Sequence, residues 1–161
     1  MNQKIKDFWQ AYLNSLPPDA DKPDTMPEYG YFCDDEVSAN HLAELTLKGI
    51  KRATAGALWS YEAEGEAIPR PGYLSIIVNW QEEPVCIIET WQVDITPFNE
   101  VSEEFARVEG EGDGSLKYWK EVHWDFFSRE MKTLGREAVE TMPVVCERFR
   151  VIFPETAVQS E

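Results

Sequence analysis

Cysteine is scarce: Cys33, Cys86 and Cys146 lie far apart, form no CxxC pair and leave an odd total. Their spacing excludes a disulfide framework and a zinc ribbon, and it predicts a reducing, cytoplasmic setting. No apolar run approaches the roughly 18 residues of a spanning helix, so the sequence predicts no membrane-embedded protein. The first residues, MNQKIKDFWQAYLNSL, show no continuous apolar stretch of the secretory kind. Positive charge is also in short supply. Against 30 Asp+Glu stand only 15 Lys+Arg, a formal charge of −15. A protein gripping duplex DNA through many phosphates needs the opposite balance, so duplex DNA is excluded as a partner.

What is present suffices for a core. The 161 residues fit one domain of ordinary size, and 43% hydrophobic with 12% aromatic side chains excludes wholesale disorder. Charge is uneven along the chain. Residues 76–116 hold 1 base and 10 acids, whereas 46–75 alone is net positive, with Lys48, Lys51, Arg52 and Arg70 against Glu62, Glu64 and Glu66. An anionic ligand is expected near that segment, over a short contact.

Ile5, Phe8, Trp9, Tyr12, Leu13 and Leu16 share one helical face and predict a helix over 2–16, ended by Pro17 and Pro18. Residues 17–30, with four prolines, read as an irregular connection. A second helix is predicted over 35–48, closed by Gly49. The runs 73–80 and 85–94 read as strands joined by a tight turn. A short helix is predicted over 101–108 with Ser102 as its cap, and a longer one from Ser115 to Gly135 with Leu116, Trp119, His123, Phe126 and Phe127 inward. A last strand covers 144–153, and 155–161 reads as a frayed tail. Strands and helices in this mixed order predict an α+β fold with a small curved sheet or barrel, in a single domain.

In the strand 85–94 the odd row is Val85, Ile87, Glu89, Trp91 and Val93. It sets a carboxylate amid apolar residues, where it needs a cation, donors or a proton. Glu89 is therefore a candidate for chemistry, a paired core carboxylate being the plain alternative. In Gly49-Ile50-Lys51-Arg52-Ala53-Thr54, a turn would bring the Lys51 amine near the Thr54 hydroxyl, three residues on. A lysine whose pKa is lowered by burial can deprotonate a threonine nucleophile. A helix C-cap followed by basic surface residues is the bland alternative.

The GIKRAT segment, the following LW, the strand bearing Glu89, the block FNEVSEEFARVEGEGDGSLKYW and a late FF together resemble the ASCH domain family of the PUA-like superfamily, in its longer bacterial subgroup. The resemblance runs from about residue 30 to 153. It implies a small β-barrel flanked by helices, with GxKxxT lining a cleft for RNA or modified nucleosides. Some members cleave single-stranded RNA with a divalent cation, and shorter ones remove the acetyl group from N4-acetylcytidine with a Lys, Thr and Glu set. Carried onto this sequence, that set is Lys51, Thr54 and Glu89. Ser115 is implied as a cleft residue, although a helix N-cap is the favoured account of it.

The expected activity is binding of single-stranded RNA, with metal-assisted cleavage of that RNA left open as an addition to it. The alternatives are an N4-acetylcytidine amidohydrolase and a non-catalytic RNA or nucleotide sensor. Gly49, Lys48, Arg52, Arg70, Trp59 and Tyr61 are expected ligand contacts, the two aromatics by stacking on a base. Mg²⁺ or another divalent cation would be held through water by the acidic loop 109–113; no residue set is assigned as direct metal ligands. His123, on the apolar stripe of its helix, reads as a packed core histidine.

Overall fold

The computed structural model describes residues 2–155. Five helices and five strands alternate in mixed order, as α+β: α1 (Gln3–Ser15), β1 (Tyr29–Gly30), α2 (Glu36–Leu47), β2 (Ala53–Ala57), α3 (Leu58–Glu64), β3 (Leu74–Val78), β4 (Pro84–Pro97), α4 (Glu103–Glu109), α5 (Leu116–Thr133) and β5 (Pro143–Phe153). A single 3₁₀ turn covers Phe98–Glu100.

The strands form one mixed sheet in the order β1-β3-β4-β5-β2. β1 runs parallel to β3, whereas β3 with β4 and β2 with β5 are antiparallel. The expected barrel is corrected by this order: β1 and β2 are edge strands, so the sheet is open. A two-residue β1 is too short to carry closure. The tail residues 156–161 lie outside the described residues.

Cα proximity divides the chain into two compact units. Among the described residues, the first comprises 2–49, Leu74–Glu89 and 150–155. Its core sets Ile5, Trp9 and Tyr12 of α1 against Ile76, Val78 and Ile87 of the strands, with Phe8, Leu13 and Leu16 partly buried around them. The face read from the sequence is thus the face that packs. Asn2 caps α1 by accepting from the Lys4 amide at 2.9 Å. Gly49 follows α2 at φ 76°, the left-handed conformation that a glycine adopts without steric cost.

The second unit, Ile50–Tyr73 and Thr90–Phe149, packs α4 and α5 on one face of β2 and β5. Ala53 and Ala57 of β2 and Val144 and Cys146 of β5 meet Phe105, Ala106, Trp119, Phe127 and Met131. Small residues on β2 let the helices approach closely. Ser102 and Ser115 each cap the helix that follows, accepting from Phe105 N at 3.0 Å and Tyr118 N at 3.1 Å. With its alanine row committed to this core, β2 turns Thr54 and Gly56 to the opposite face.

Candidate functional site

Lys51 is 1% exposed. Its Nζ donates to the carbonyl of Ala53 at 2.8 Å, to Glu111 Oε2 at 2.9 Å and to Glu109 Oε2 at 3.3 Å. Glu109 in turn accepts from Trp119 Nε1 at 2.6 Å and lies 3.1 Å from His123 Nε2. His123 Nδ1 lies 2.8 Å from the Trp119 carbonyl, and its ring stacks on Trp119 with centroids 4.1 Å apart. GxKxxT and the EGEGDGS block are therefore joined through one buried charge cluster.

The local backbone explains the close approach. Arg52 N donates to the Val108 carbonyl at 2.9 Å, which lays the GIKRAT segment along the end of α4. Gly110 follows at φ 72°, and a Cβ there would stand 2.4 Å from the Ile50 carbonyl oxygen. Only glycine fits that position.

Electrostatics follow from the packing. Burial alone would lower the Lys51 pKa, but Glu109 and Glu111 outweigh it and raise the pKa above the usual lysine value. Burial would raise the Glu109 pKa, yet Lys51 and His123 hold it well below the carboxylate range. Glu111 moves the other way: burial, with Glu109 beside it, raises its pKa against the pull of Lys51. His123 is raised by Glu109 against the burial that would lower it. Lys51 is thus a protonated clasp, and the expectation of a lysine depressed into a general base is corrected. Its low-dielectric surroundings contain two carboxylates, which favour the charged amine.

Glu89 is corrected as well. It shares a row with the fully buried Ile87, but its own side chain is 29% exposed and pairs with Arg150 NH2 at 2.8 Å. The row leaves the core of the first unit at this position, and Trp91 beyond it is 51% exposed. The carboxylates beside Lys51 are Glu109 and Glu111. Glu109 carried a signal in the sequence, since it follows Phe105 by one helical turn on the buried face of α4.

Thr54 sits half-buried in β2, directly across the ladder from Glu147 of β5. Tyr61 of α3 lies against Gly56, where a Cβ would meet its Cε2 at 3.1 Å. Trp59 packs on the core, and the Arg136 guanidinium lies 3.6 Å from its ring centroid, so that face is unavailable to a base. Lys48 is exposed and pairs with Glu44 at 2.7 Å. Arg52 and Arg70 are exposed. Ser115 acts as the helix cap described above, and Asp113 accepts from its amide at 2.9 Å.

A divalent cation does not fit the acidic loop as built. Glu109, Glu111 and His123 bring ligand atoms within 4.8 Å of one another, but Lys51 Nζ already neutralises both carboxylates at 3.3 and 2.9 Å. Asp113, engaged with Ser115, does not complete a set.

An α+β domain with an open mixed sheet, in which GxKxxT and an acidic loop share a buried ion cluster, is a small domain of the PUA-like fold. The chain belongs to the ASCH domain family, whose model matches residues 28–153. It is similar to the ASCH domain crystal structure from Lactobacillus crispatus JV V101, at 42% identity and TM-score 0.88 over 94% of this chain and 95% of that one. It is also similar to protein EF3133 from Enterococcus faecalis V583, at 35% identity and TM-score 0.84 over 94% and 90%. No curated protein matches it significantly. Among the described residues no helix is long and apolar enough to cross a membrane.

Proposed function

We propose that the protein binds single-stranded RNA, or a nucleoside derived from it, on the face of β2 opposite α4 and α5, reading one or two nucleotides. The observation that carries this reading is the internal use of Lys51. With its amine bound by Glu109, Glu111 and a backbone carbonyl, the GxKxxT lysine shapes the site and grips no phosphate. Thr54 and Tyr61 are left beside the ligand, and the exposed Arg52 and Arg70 supply a short cationic margin. A formal charge of −15 accords with so small a footprint. Metal-assisted RNA cleavage gains no support from the acidic loop, because Lys51 holds the place a cation would take.

A second reading, hydrolysis of the acetyl amide of N4-acetylcytidine, is favoured by one observation. Glu109 and Glu111 both lie on one buried cation, the GxKxxT lysine Lys51, at 3.3 and 2.9 Å. Two carboxyls on one cation can supply one fixed charge and one group able to move a proton.

The test is fluorescence anisotropy with a short single-stranded RNA and its duplex, alongside chromatographic assay of N4-acetylcytidine. Binding of the single strand in preference to duplex is expected. Equal affinity for both would contradict recognition at the base.

A further inference from the structure

Glu147 is 8% exposed and carries no cation among the described residues. The Thr90 hydroxyl bonds its Oε2, while Oε1 has no hydrogen-bond partner among the described residues. A carboxylate this far from water ordinarily has its oxygens satisfied by donors. Here Thr90 satisfies one oxygen. The other reaches solvent on this face, open to an incoming donor, since Ser60 Oγ is the one fully buried side-chain atom without a hydrogen-bond partner among the described residues.

The surroundings specify what could bind there. Glu147 and Thr54 are direct partners in the antiparallel β2–β5 ladder, so their side chains project from the same face, with Cβ atoms about 4.5–5.5 Å apart. Gly56 is two residues along that face, and Tyr61 lies over it. The second unit thus holds a half-satisfied carboxyl, two threonine hydroxyls and an aromatic ring on one face of its strands, opposite the face that packs on α4 and α5.

We propose that Glu147 is the base-reading group of this site, its free oxygen accepting the amino or amido N–H of a nucleobase that lies against Tyr61 beside Thr54. The proposal rests on the reading that the face of β2 opposite α4 and α5 takes the ligand. It selects bases with an exocyclic N–H, such as cytosine and its N4-acyl derivative. Uracil is disfavoured because its edge N–H is flanked by two carbonyl oxygens that a carboxylate repels.

Acceptance of an N–H is strongest from the ionised carboxylate. Burial raises the Glu147 pKa above its ordinary 4.5, against the opposing effects of Thr90 and Lys51. The titratable and charged groups facing it are Tyr61 from α3 and Lys51 ahead of β2. Both have raised values, so neither changes charge between about pH 5 and 8. Affinity for cytidine should therefore rise with pH until Glu147 is ionised, and then level off.

The experiment is calorimetric titration of the full chain with cytidine and with uridine across that range, for the parent and for Glu147→Gln, with amide NMR reporting Thr54 and Tyr61. The parent should prefer cytidine and gain affinity with pH. Glu147→Gln should lose about tenfold in cytidine affinity, most of the preference over uridine, and the pH dependence. A variant that keeps affinity, preference and pH profile while cytidine still perturbs Thr54 and Tyr61 would overturn the role of Glu147 and leave the site standing. A parent in which neither nucleoside perturbs those residues would overturn the site and the proposal together.

Discussion

The Lys51 amine lies 2.9 Å from Glu111 and 3.3 Å from Glu109, and this contact ties two segments of the sequence nearly sixty residues apart into one buried cluster. Removing one partner of such a pair leaves the other charge buried and uncompensated, at a cost of about 3–5 kcal/mol. Lys51→Met should therefore lower unfolding stability by that order, as measured by urea denaturation. The paired variant Lys51→Met with Glu109→Gln should recover part of the loss, because it removes two of the buried charges and leaves only Glu111, whose raised pKa favours its neutral form.

Stability should depend on pH through the same cluster. Glu109 has a depressed folded-state pKa, so its contribution is complete above the ordinary 4.5 and is lost as pH falls through the folded value. His123 has a raised one, so its contribution is complete below the ordinary 6.5 and is lost as pH rises through the folded value. Glu111, also raised, opposes the Glu109 effect. Denaturation curves from about pH 3 to pH 9 should show a shallower acid loss in Glu109→Gln. In His123→Phe the decline above neutrality should be reduced.

Gly110→Ala should destabilise the protein by about 2 kcal/mol or more. The residue holds φ 72°, and a Cβ would stand 2.4 Å from a backbone oxygen that cannot swing aside. Gly135→Ala provides the comparison: it has a similar φ of 73° with no atom within 4 Å, so strain alone remains. The difference in melting temperature between the two isolates the clash.

Much of this architecture was legible beforehand. The α1 and α5 stripes, the Ser102 and Ser115 caps and the Gly49 stop all rest on local periodicity and capping chemistry, which the sequence states directly. β2 and α3 were not foreseen, because ATAGA has weak strand propensity and extends only through its pairing with β5. Glu89 drew attention as a carboxylate within an apolar row. The same pattern occurs in β5, where Glu147 lies between Val145 and Phe149 on one row, and there the neighbours are 0% and 1% exposed. Parity identifies a row but not the point at which a strand leaves the core, and Glu89 falls at that point. The partners of Lys51 were hidden for a different reason: a contact across 58 residues has no local signature.

RNA affinity should have a shallow salt dependence. With Arg52 and Arg70 as the nearby exposed cations, a log–log slope of about −1 to −2 is expected from the single-strand coefficient. Arg52→Ala should flatten it by about 0.7. A slope implying many neutralised phosphates would contradict the short contact.

The protonation state of Lys51 tests the central claim most directly. With lysine side chains labelled at Nζ, ¹⁵N NMR of the folded protein follows the amine through titration. A buried clasp held by Glu109 and Glu111 should keep its ammonium signal up to and beyond the ordinary 10.5. Deprotonation near neutrality would contradict the clasp and restore Lys51 as the general base.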